Sequence, residues 1–240
     1  MVAVTELHLI IMLYLALFFL QLSAIYFLSR RLNHELIQFF YHLTKSKSWA
    51  VYLFSIVFLP GTFIHEISHF LAALFLLVPV GKLEIIPQFD ELEKGVELGS
   101  VSIGKTDPVR RFLIGIAPFI FGTGLILATT YLVFMNPPAQ AGRFIDTKWG
   151  LVFAGYAIFC VGNSMFASKK DLEGAFTLAI FLLIAFSFAY VLGIRIPAVN
   201  FELIFSEGFI NVLRIANTFL LVPVLLDLVV LFLLKPLRRR

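Results

Sequence analysis

The sequence predicts a mainly α, polytopic membrane bundle of about six transmembrane helices, with a small membrane-associated β-hairpin between the second and third. Three observations predict it. Hydrophobic residues make up 60% of the 240 positions and charged residues only 14%, too little charge to solvate a soluble domain of this size. Six apolar runs approach or exceed the roughly 20 residues that a spanning helix needs. Between two of them lies a stretch with the opposite character, rich in β-branched residues, Gly and charge.

The runs lie near Leu7–Leu28, Trp49–Val80, Val109–Met135, Trp149–Ala167, Gly174–Leu192 and Phe209–Leu234. The first has no basic residue before it and no small-residue cleavage site ahead of "SRR", so it reads as a retained helix rather than a removed leader. After it, "RRLNHELIQFFYHLTKSKS" (Arg30–Ser48) mixes charge with Leu, Ile, Phe and Tyr and reads as an interfacial amphipathic helix. Pro60–Gly61 predicts a bend within the second run. The stretch from Val80 to Asp107 holds two strand-like segments, "KLEIIP" and "GVELGSVSIG", joined by a charged turn. Strand edges cannot face lipid, so this hairpin belongs at the interface or in a protein-lined cavity.

The chain is expected to be one membrane domain over residues 1–240, its core at about 50–174 and accessory helices at 1–30 and 174–235. With six crossings, both termini and the β-loop share one side. That side holds 11 of the 19 Lys and Arg residues, which predicts a multi-pass protein of the cell membrane with termini and β-loop cytoplasmic. The basic tail "KPLRRR" suits anionic headgroups of the lipid bilayer, and no nucleic-acid partner is expected. Cys160 is the only cysteine, which excludes an internal disulfide and a cysteine metal cage.

The chemistry is concentrated in "FIHEISHFLA". His65 and His69 stand at i and i+4, so a helix stacks them on one face, where both imidazoles reach one metal ion. Glu66 beside them is placed to act as general base. Such groups are costly in hydrocarbon, and a metal ion together with water access would satisfy them. Zinc takes three protein ligands at a catalytic site and leaves one position open. Candidates for the third are Asp171, Glu173, Asp227 and the acids of the loop. Asp171 follows an apolar run that stops abruptly at "NSMFASKKD", and irregular backbone at the end of a span is expected where it lines a cavity.

Taken together, "FIHEISHFLAALFLLVPVGKLEIIP", the β-rich loop, "RRFLIGIAPFIFG" and "GNSMFASKKD" resemble the core of the site-2 protease family of intramembrane zinc metalloproteases. The resemblance runs from about Val51 to Gly174. It implies His65, His69 and Asp171 as ligands of one Zn²⁺ per chain, Glu66 as the catalytic base, and Asn163, eight residues before Asp171, as a substrate-binding residue. The chain departs from the family pattern at Ser68 and Leu172, where glycines are usual, at Phe166 and Lys169, which replace prolines, and at Phe121, which replaces an asparagine. With no insertion long enough for a PDZ-type domain, it would be a minimal member. The implied activity is hydrolysis of peptide bonds in or near a transmembrane segment of a membrane protein or peptide substrate. The alternative is a scaffold of the same fold, with little or no catalysis, that binds and regulates membrane partners.

One spacing argument bears on this site. If the second helix ran to Val80, His69 would lie about 16 Å from its end. Asp171, next to Lys169 and Lys170, would then have to fold inward, or the helix would have to stop near Leu77.

Overall fold

The computed structural model describes residues 2–84, 88–90, 95–97, 99–134, 148–166, 171 and 207–235, with isolated positions between 178 and 191. The protein is mainly helical. Among the described residues, five helices run in full, α1 (Val2–Thr44), α2 (Lys47–Phe75), α3 (Pro108–Phe134), α4 (Lys148–Ser164) and α5 (Glu207–Leu234), and four short strands lie between α2 and α3. Among the described residues, four helical segments are long and apolar enough to cross a membrane: Leu9–Thr44, Lys47–Phe75, Pro108–Val133 and Gly208–Leu234. The expected fourth run forms α4, which at 17 residues is shorter than these. Most of the fifth expected run lies outside the described residues, its isolated described positions being helical, and Lys169, Lys170, Glu173 and the tail beyond Lys235 lie wholly outside them.

The first helix corrects the reading of the N-terminal region. No break separates Leu28 from Arg30; α1 continues for 43 residues, roughly 65 Å at the α-helical rise. The amphipathic segment is helical as far as Thr44, but it is the last third of α1. Two features account for this. From Leu28 to Thr44 there is no Gly or Pro to stop the helix. Leu32 and Leu36 are buried there against Phe54 and Phe58 of α2 and Cys160 of α4, so continuing the helix gains apolar contact.

The second helix ends where a proline signal and local bonding agree. Leu77 takes a left-handed φ of 57°. The N–H of Leu77 reaches the Leu74 carbonyl at 3.1 Å and that of Val78 reaches the Ala73 carbonyl at 2.9 Å. These two bonds are a Schellman cap with leucine in the place glycine usually takes, and Pro79 follows it. Val78 is buried on Ala73 and Ile114, the apolar contact that accompanies such caps. The cap brings the helix end to six residues beyond His69, about 9 Å.

Past the cap the chain turns back as a ladder of short strands. β1 (Val80–Glu84) pairs antiparallel with β4 (Ser100–Ile103), and β2 (Gln88–Asp90) with β3 (Gly95–Glu97). The register joins Val80 to Ile103 and Glu84 to Ser100, with an irregularity between Val80 and Leu83. The two antiparallel pairs are nested, β2–β3 inside β1–β4, as in the small hairpin expected between α2 and α3. α3 then starts at a cap: Asp107 accepts the Arg110 backbone N–H at 3.0 Å and Pro108 takes the first helical position. That N–H holds the Asp107 carboxyl below the usual carboxylate range.

The described helices meet through three apolar clusters and a set of polar ties. Leu22 and Ile25 of α1, Ile126 of α3, Ile158 and Val161 of α4, and Leu220 of α5 belong to the largest. Gln21 of α1 donates to the Asn217 carbonyl of α5, and Asn217 donates back to the Tyr14 carbonyl, both at 3.0 Å. Side-chain bonds of this kind join helices where lipid offers no alternative partner. At Gly61 the backbones of α2 and α4 come so close that an added Cβ would meet the Cys160 carbonyl and the Ser164 hydroxyl. Gly61 therefore serves helix contact; α2 continues unbroken through Pro60.

Candidate metal centre

His65 and His69 lie on the middle-to-late part of α2, one turn apart on one face. Two backbone carbonyls set their rings. His65 Nδ1 is 2.6 Å from the Ser164 carbonyl at the end of α4, and His69 Nδ1 is 2.8 Å from the Ile114 carbonyl of α3. A carbonyl only accepts, so each Nδ1 carries the proton and each Nε2 presents a lone pair.

Asp171 closes the group. α4 ends at Ser164, and Met165 and Phe166 leave the helix. The Asp171 carboxylate lies with Oδ1 at 3.2 Å from His69 Nε2 and Oδ2 at 3.7 Å from His65 Nε2. Its backbone packs on α3 at Gly115, where an added Cβ would collide with the Asp171 carbonyl. The spacing difficulty is resolved: α2 stops at Phe75, and Asp171 lies at the two imidazoles.

These donors fit a metal ion. One nitrogen from each histidine and one Asp171 oxygen all lie within 4.8 Å of one another. The two Nε2 atoms are 3.2 Å apart. Ligands at about 2.0–2.1 Å around a tetrahedral ion are separated by about 3.3 Å. Two lone pairs facing each other at this distance repel unless a cation lies between them. The group His65, His69 and Asp171 can thus hold a metal ion.

Glu66 is buried beside the pair. The β-loop closes on it: a Cβ at Gly99 would lie 2.8 Å from Glu66 Cγ and 3.0 Å from its Oε1. The donors and Glu66 line a cavity of about 560 Å³. Its walls also include Ser100 and Val101 next to Gly99, Arg111 of α3, Asn163 of α4, and Asn33 with Phe54 and Phe58 towards the other end. Arg110 and Arg111, which the sequence presents as a pair, part here. Arg111 lines the cavity, while half-exposed Arg110 pairs with Asp107 at 3.3 Å.

Comparison of the chain with protein-family models, with curated proteins and with solved structures finds no match.

The five site residues expected from the sequence, His65, Glu66, His69, Asn163 and Asp171, all line this one cavity. Of the other acids considered as third ligand, Asp227 is elsewhere: fully buried on α5, it accepts the Asn163 side-chain N–H at 2.7 Å. Sequence reading missed the Ser164 and Ile114 carbonyls, because backbone groups leave no trace in residue type. It also missed Gly99 and Gly115. Their signal was present, as small residues inside a strand-rich stretch and a helix where nothing local requires them.

Proposed function

We propose that the chain is an intramembrane zinc metalloendopeptidase that cuts a peptide bond in or near a transmembrane segment of another membrane protein. The observation that carries this reading is the convergence of His65, His69 and Asp171 beside buried Glu66 in one cavity among membrane-length helices. The donor set of two imidazoles and a carboxylate suits Zn²⁺. Bound there, zinc would polarise the scissile carbonyl and lower the pKa of water towards neutrality.

The chain's own residues supply the rest. The Ser164 and Ile114 carbonyls hold both rings in the tautomer that binds metal. Glu66 takes a proton from the attacking water and gives it to the leaving nitrogen, so a C–O bond forms as the C–N bond breaks. A substrate helix hides its carbonyls in its own hydrogen bonds and must first be extended. Gly99, Ser100 and Val101 line the cavity, and β4 is paired with β1 alone among the described strands. Its other edge offers an extended peptide a place as an added strand, with Asn163 on a different wall. On the count of Lys and Arg, the β-loop and termini face the cytoplasm of a multi-pass cell-membrane protein.

The test is Glu66→Gln in the purified, zinc-loaded protein. It should keep one zinc per chain by elemental analysis and lose cleavage of a co-reconstituted single-span reporter. Wild-type turnover by this variant would exclude Glu66 as the base. Reporter capture without product by the unaltered protein would favour the scaffold reading.

A further inference from the structure

Asp227 is a carboxyl group with no exposed surface in a helix of membrane-spanning length. Such a group is expensive in hydrocarbon and persists where it has a task. It lies outside the part of the chain that carries the catalytic motifs, and the metal group does not use it.

Its partner is Asn163. The Asn163 Nδ2 donates to the Phe159 carbonyl at 2.9 Å and to Asp227 Oδ1 at 2.7 Å. Neither acceptor can donate when Asp227 is ionised, and a carbonyl never can, so the orientation of the amide is fixed. Both amide hydrogens are spent. The remaining group, Asn163 Oδ1, is buried and has no hydrogen-bond partner among the described residues. Asn163 stands in the cavity wall. A buried acceptor left unpaired costs about 1–3 kcal/mol, a cost that a ligand N–H would remove. From α1, Ser29 Oγ donates to the Asn163 main-chain carbonyl at 3.0 Å. Asn163 is thus held from two helices, and the next residue supplies the carbonyl that orients His65.

We infer that Asp227 is a positioning residue for substrate: it turns the Asn163 amide so that its oxygen receives one backbone N–H of the extended peptide. The inference rests on the protease reading, which gives the cavity a peptide to hold. It adds the polarity of the contact and the residue that sets it.

The test uses tetraleucine hydroxamate, whose hydroxamate group binds zinc, and ester analogues in which one amide N–H at a time becomes oxygen. Binding to the zinc-loaded full chain is measured by calorimetry in detergent. One ester position should bind the wild type about tenfold more weakly, the loss of a single hydrogen bond. Asp227→Leu and Asn163→Leu should each erase that difference, and the double variant should add nothing further. Asp227→Asn should keep it, because its carbonyl accepts the same N–H. Should Asp227→Leu fail to fold, Asp227→Ser takes its place, its hydroxyl being too short to reach. Asp227→Leu discriminating as the wild type does, or no ester position mattering in the wild type, would overturn the inference while the protease reading stands. A zinc-loaded chain that fails to bind the hydroxamate at all would bring both down.

Discussion

Replacing Gly115 by alanine separates the stability of the fold from the integrity of the metal group. In the interior of α3, alanine is the better helix former by about 1 kcal/mol, so the helix itself gains. The new methyl, however, would stand 3.0 Å from the Asp171 carbonyl carbon and closer still to its oxygen. α3 is held along its length by packing, whereas Asp171 lies outside any helix, so Asp171 gives way. Restoring ordinary contact requires a retreat on the order of 1 Å. Ligand distances tolerate only about 0.2 Å. The Asp171 oxygen, 3.2 Å from His69 Nε2, then leaves the donor group. Disturbing the support of a ligand typically lowers metal affinity about 10–100-fold, or about 1.4–2.7 kcal/mol. Zinc affinity is read by titration against a competing chelator, and the fold by the thermal midpoint of the metal-free protein. Gly124→Ala on the same helix is the control, since nothing lies within 4 Å of its added Cβ. Gly115→Ala with wild-type zinc affinity would refute Asp171 as a ligand held against α3.

Two further outcomes follow from the same geometry. Gly99→Val should lower the turnover of a single-span reporter at least about tenfold, a barrier rise of about 1.4 kcal/mol. Its side chain displaces Glu66, while zinc content, which does not depend on Glu66, stays at the wild-type level. At Asp107 the folded-state pKa is depressed, so its contribution to stability is present above the unfolded value of about 3.9 and is lost as pH falls through the folded one. Asp107→Ala should therefore lower the thermal midpoint at neutral pH and narrow the gap to wild type below about pH 4, measured by circular dichroism. A gap that widens on acidification would contradict the cap.

Much of the site was legible because its chemistry is local. His65 and His69 are brought together by one turn of helix, so their partnership follows from spacing alone. The end of α2 before Pro79 and the start of α3 at Asp107–Pro108 follow from neighbouring residues, but hydropathy alone carried the second run on to Val80 and began the third at Val109. The length of α1 was not legible in this way. Charge at Arg30–Arg31 suggested an end, but Leu32 and Leu36 find apolar partners on α2 and α4 that are far away in sequence.

By itself, then, the sequence determined a membrane protein with a paired-histidine helix and a strand-forming loop after it, since hydropathy, periodicity and turn chemistry act over a few residues. Residue type left Asp171, Glu173, Asp227 and the loop acids open as the third ligand and the family resemblance implied Asp171; the tertiary structure is what brings Asp171 to the histidines. Asp171 and Asp227 are both acids near apolar runs; the first reaches the imidazoles because Gly115 lets its backbone lie on α3, and the second is turned to Asn163. Such choices depend on close approach between distant segments, which the order of side chains along a single helix does not encode.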